Sequence, residues 1–111
     1  MDDILSFGNK RNYEDFKKHI PLNTIDLFDS LRNFCLSIKD NVVEDVRMHR
    51  VVFCKSITFR WFLDAEPTMN NSIIIKIQKS RKEDINKVEI KNQQELEDIK
   101  DTIKEAFESI H

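Results

Sequence analysis

Apolar side chains recur at steps of three and four through residues 24–39: Ile25, Phe28, Leu31, Cys35 and Ile38, with Leu27 and Phe34 widening the stripe. That period predicts an amphipathic helix. Asn23 or Thr24 stands where a side-chain oxygen accepts from the orphan amides of a first helical turn. A second stripe, Leu96, Ile99, Ile103, Ala106, Phe107 and Ile110, predicts a helix over residues 93–110. Asn92 followed by Glu95 gives it a capping box, with Asn in place of the usual Ser or Thr. Ile4, Phe7, Tyr13, Phe16 and Ile20 supply apolar faces for short helical pieces before Pro21, with Asn12 as an N-cap. Val42, Val43 and Val46 predict a short helix over residues 41–48.

The middle of the chain changes period. Residues 50–54 are short and apolar, and residues 57–63 alternate. Strict alternation puts Ile57, Phe59, Trp61 and Leu63 on one face and Thr58, Arg60 and Phe62 on the other. Residues 72–79 alternate similarly, and Val88 and Ile90 mark a last strand over residues 87–91. Residues 64–71, with Pro67, Asn70 and Asn71, read as a hairpin loop. Sequential strands flanked by helices predict an α+β fold. The expected architecture is a three- to four-stranded antiparallel sheet with short N-terminal helical pieces. The two long helices are expected on one face of it, lined by Phe59, Trp61, Ile75 and Val88. The other face is expected to present Arg60, Lys76 and Lys87 beside Phe62 and Ile74.

The chain has 111 residues, which fits a single domain over 1–111: N-terminal pieces over 1–22 and a core over 23–111. It is 40% hydrophobic and 34% charged, a balance of a folded domain with a highly charged surface. No apolar run approaches the ~18–20 residues of a membrane-spanning helix. Two acids near the start, Asp2 and Asp3, stand where a signal peptide carries positive charge. Cys35 and Cys54 match no metal or redox spacing. These features lead to the expectation of a reduced, cytoplasmic protein with no membrane contact and no cofactor.

The single glycine, Gly8, excludes phosphate-cradling loops of the P-loop and dinucleotide types, and the nucleophile elbow, since each needs several glycines. Of the three histidines, His19, His49 and His111, no two have the spacing that sets a zinc pair on one helix face. No nucleophile, base and oxyanion donor can be assembled from these residues, so an enzyme is the least supported class.

Charge is distributed unevenly. Residues 1–46 carry nine acids and six bases, residues 47–91 five acids and ten bases, and residues 92–111 six acids and two bases. The strand region is therefore basic. Basic groups beside an exposed aromatic suit single-stranded nucleic acid, because bases stack while Lys and Arg neutralise phosphates. The candidate contacts are Lys55, Arg60, Phe62, Lys76, Lys79, Arg81 and Lys82. Against this stands the sequence pI of ≈ 5.9, low for a dedicated nucleic-acid binder. An alternative site is the acidic ridge of Glu95, Asp98 and Asp101 on the last helix, whose oxygens suit a hard cation. A solvated helix face with Lys100 and Lys104 interleaved explains the same ridge.

The order of Leu27–Ile38, Val43–Val46, Val51–Lys55, Thr58–Phe59, Ile73–Ile77 and Leu96–Phe107 resembles domain-of-unknown-function family 5655, whose members are often labelled predicted transport proteins. The resemblance spans residues 25–110. The family's Gly- and His-containing segment before its last strand is here the Gly-free KSRKEDINKVEI. Family members occur alone or beside nuclease-like domains, which implies an accessory role and carries over no catalytic residue. The expectation is thus a non-catalytic recognition module contacting nucleic acid or a nuclease partner. The alternatives are a small metal or iron chaperone, and a homo-oligomeric regulatory or phage- or defence-related protein, with a homodimer as one form.

Overall fold

A computed structural model of the chain describes residues 11–55, 60–80 and 82–110. Helix α1 (Tyr13–Lys17) is capped by Asn12, whose side chain accepts from the Asp15 amide at 2.8 Å. Helix α2 (Leu22–Ile38) begins two residues before the expected start. Pro21 is its N-cap and no side chain caps it. Thr24 is instead fully buried, with a hydroxyl that has no partner. Five strands follow: β1 (Val42–Val46), β2 (Val51–Lys55), β3 (Arg60–Pro67), β4 (Ile73–Ile77) and β5 (Asn86–Ile90). Helix α3 (Gln93–Ser109) closes the chain. Asn92 accepts from the Glu95 amide at 2.8 Å, and Glu95 accepts from the Lys91 amide at 2.6 Å. The reciprocal cap therefore forms, reaching one residue further back than in the usual box.

The sheet is a consecutive antiparallel meander, β1-β2-β3-β4-β5. It has one strand more than the three or four expected, because residues 42–46 are a strand and not a helix. Three valines in five residues favour a pleated backbone. The pattern concealed this because Glu44 occupies an inner position. There it meets Arg32 of α2 in a bidentate pair, with Arg32 Nη2 at 3.1 Å from one oxygen and Nε on the other. Strand β3 runs through Pro67, so the hairpin turn is only residues 68–72. Asn71 takes φ 59° there, the left-handed conformation that Asn tolerates.

Registers assign the faces. Val51, Phe53 and Lys55 pair with Val46, Glu44 and Val42, so all six share one side. Glu44 meets α2 on that side, and Lys55 meets the end of α3. Both long helices therefore cover the same face. The core between them holds Phe28, Leu31 and Cys35 of α2, Leu96, Ile103 and Phe107 of α3, and Phe53, Leu63, Ile73, Ile75 and Ile77 of the sheet. Ile75 and Val88 lie on this face as expected. Phe59 lies outside the described residues, and so do Ile4, Phe7, Ile57 and Thr58.

The largest departure is in β3. Phe53 pairs with Leu63 but Cys54 pairs with Trp61, so Phe62 is the extra residue of a β-bulge. Phe62 and Leu63 both enter the core. Phe62 meets Phe107 edge-on at 5.3 Å between ring centroids. Trp61 is turned to the other face, where it lines hollows with Val52 and Arg47. Alternation predicts the reverse for this pair.

Candidate functional site

The basic residues singled out in the sequence do not form one patch. Lys55 is on the helix side, where its ammonium donates to the Ile110 carbonyl at 2.8 Å and lies 4.6 Å from the centroid of the Phe107 ring. It satisfies a carbonyl at the C-terminal end of α3. Arg60 pairs in register with Lys55 and so shares its side of the sheet. Lys79 is bound to Glu105 of α3 at 2.7 Å. That hydrogen bond, and then the charge of Glu105, raises the Lys79 pKa, and the same contact lowers that of Glu105. Lys82 is exposed in the loop after β4. Arg81 lies outside the described residues. Phe62, expected as the stacking aromatic, is 0% exposed, so it presents no face to a base. Of the described ones among these residues, only Lys76 stands on the open sheet face, with Lys87 beside it in β5.

The acidic ridge does not converge either. The Glu95 carboxylate is taken up by the α3 cap, and Asp98 accepts from Gln94 at 2.9 Å. Among the described residues no three His, Cys, Asp or Glu side chains are grouped to hold a metal ion. Cys35 is fully buried, and burial pushes its thiol far above the ordinary range. Cys54 is half-buried on the open face. Its pKa is also raised, first by burial and then by Asp45, while Lys55 points the opposite way.

The open face is organised in rows across the strands. One row reads Asp45, Val52, Asp64, Lys76, Lys87. The next reads Arg47, Arg50, Glu66, Ile74, Glu89. Val43, Cys54 and Trp61 make the third, with Ile85 beside Trp61 in a shared hollow. Arg50 donates to Asp64 at 3.1 Å and to Glu66 at 3.2 Å. Arg47 donates to Asp45 through Nε at 3.1 Å. Val52 is only 5% exposed yet stands outside the main core, beneath this layer. The face thus has an apolar row of Val43, Cys54, Trp61 and Ile85 beside Val52, and four cationic and four anionic side chains across the other two rows among the described residues. Trp61 was legible in the sequence only through the run Trp61-Phe62-Leu63. Three apolar neighbours cannot all obey a two-residue period, and a bulge resolves them.

A separate cleft of about 580 Å³ lies between α1 and the β1–β2 turn. Arg11, Asp15, Phe16 and His19 line one wall, and Arg47, Met48 and His49 the other.

Compared with known proteins, the chain matches no family model, no curated protein and no solved structure. Among the described residues no helix is long and apolar enough to cross a membrane.

Proposed function

We propose that the chain is a non-catalytic interaction module, and that the occupant of its open sheet face is a second copy of itself. The observation that carries this reading is the order of charges along the rows. A two-fold axis parallel to β3, between two stacked faces, sets Asp45 against Lys87 of the second copy. The same axis sets Arg47 against Glu89, Val43 against Ile85, and Trp61 against Trp61. Opposite charges then meet at the outer strands and Trp61 meets its counterpart, while Asp64 and Glu66 of the central strand face the same acids of the second copy, each carboxylate held by Arg50 of its own chain. Stacked sheets pack ~10 Å apart, which such side chains fill.

The charge balance argues against a polyanion on this face. Four cations are matched by four anions, and Arg47 and Arg50 are held by acids of the same face. Nucleic-acid affinity rests on uncompensated Lys and Arg.

Light scattering across concentration tests the reading. Mass should rise from 13.2 kDa toward twice that value, and Trp61→Ser should weaken the association at least about tenfold. A face of five short strands, roughly 20 by 17 Å, is well below the ~800 Å² per partner of a standard stable interface, so the association is weak and the transition belongs at high micromolar concentration or above. A chain that stays monomeric to millimolar concentration overturns the proposal. If that monomer binds oligonucleotides in a salt-sensitive way, the nucleic-acid reading replaces it.

A further inference from the structure

The cleft between α1 and the β1–β2 turn shares Arg47 with the open sheet face, but its other lining residues and its chemistry are different. Its volume of about 580 Å³ is within the range of small-molecule sites. Four of its side chains carry or can take positive charge: Arg11, His19, Arg47 and His49. Among the described residues, the side chains of Arg11, His19 and His49 have no hydrogen-bond or ion-pair partner. Arg47 spends Nε and Nη2 on a single Asp45 oxygen, at 3.1 and 3.0 Å. The lone acid of the cleft, Asp15, is paired with Lys18 at 3.2 Å. The floor is apolar, formed by buried Phe16 and by Met48, which is 59% exposed although it is a large hydrophobic residue.

The walls are held in place. α1 is fixed by its Asn12 cap and by Tyr13 and Phe16, whose rings pack against Phe28 of α2 at 6.1 and 5.4 Å. The opposite wall is a tight turn closed by the Arg47 amide donating to the Arg50 carbonyl at 2.8 Å. Two anchored walls that carry cationic donors over an apolar floor are the parts of a ligand site for an anion on an organic body. Guanidinium and imidazole N–H donors match the several acceptor oxygens of a phosphomonoester, and the guanidinium charges its double negative charge. Inorganic phosphate alone would leave most of this volume, and both apolar side chains, unused.

We infer that this cleft binds a small organic phosphate, with the phosphate held by Arg11, His19, Arg47 and His49 and the organic group resting on Phe16 and Met48.

The test is a titration with phenyl phosphate, followed through the imidazole resonances of His19 and His49. Inorganic phosphate and benzoate are run alongside. Phenyl phosphate should shift both imidazoles saturably and bind roughly tenfold or more tightly than either fragment. His19→Gln and His49→Gln, read through the remaining imidazole, should each weaken binding several-fold, whereas Lys82→Ala should leave it unchanged. Trp61→Ser should bind like the parent, which separates failure of this site from failure of the dimer face. No saturable shift at either histidine overturns the inference. Inorganic phosphate binding as tightly as phenyl phosphate overturns the ligand class. Equal binding by the two Gln variants and the parent overturns the site.

Discussion

Phe62 and Trp61 are adjacent and chemically similar, yet they have opposite duties. Phe62 fills the core against Phe107, and Trp61 faces outward from the sheet. Phe62→Ala should therefore cost about 3–5 kcal/mol, the usual range for emptying a buried aromatic site. Trp61→Ala should cost clearly less monomer stability than Phe62→Ala, because Trp61 is only half-buried in the single chain. Urea unfolding at low protein concentration checks both, and similar losses for the two would contradict the bulge. Tyr13 gives a second residue-scale prediction. Burial first, then the hydrogen bond to Asp29 at 2.6 Å, holds its pKa far above the ordinary value. The folded chain keeps this proton where the unfolded chain loses it. The contribution to stability is therefore full below about pH 10 and is lost as pH rises beyond it. Cys35, raised by burial, adds a loss of the same sign from about pH 8.5 upward. Unfolding measured from about pH 8 to 11 should show falling stability, with a shallower fall above pH 10 in Tyr13→Phe. An identical slope in the variant would contradict the assignment. Residues whose role depends on near neighbours were legible in the sequence: Cys35 on its stripe, Asn12 at its cap, Asn71 at its turn. Phe62 was not, because a bulge is set by the partner strand.

At the scale of elements, the two long helices and the later strands follow from period alone, with ends displaced by one or a few residues. Their apolar stripes are long enough for periodicity to decide. Strand β1 was hidden because its inner face includes a carboxylate that only the fold pairs with Arg32. The start of α2 was misplaced because Asn23 and Thr24 are good caps locally, while burial of Thr24 is a tertiary matter. The end of α3 was equally beyond the sequence. Lys55 reaches the Ile110 carbonyl across fifty-five positions. Lys55→Met keeps the apolar stem and removes the donor and the charge over Phe107. It should cost about 1 kcal/mol in urea unfolding and leave self-association unchanged. A loss of association with no loss of stability would return Lys55 to a binding role.

For the whole molecule, the segmental charge count points to a basic sheet, but the fold redistributes it. Lys55 and Lys79 turn toward α3, and what remains on the open face is balanced and ordered. Among the described residues, helices cover the sheet on one side only, and none of them forms a layer above Trp61, Val43 and Ile85. On the proposed reading, a second copy supplies that layer. The claim is geometric, and charge reversal addresses it directly. Asp45→Lys alone and Lys87→Glu alone should each remain monomeric at concentrations where the parent dimerises, since each sets like charges opposite. Mixed in equal amounts, the two variants make both of these rim contacts complementary, Lys87 of the first against Asp45 of the second and the two introduced charges against each other, and light scattering should show a mixed dimer at those concentrations. Two variants that stay monomeric after mixing, or that each dimerise as well as the parent, would contradict the stacked-face arrangement.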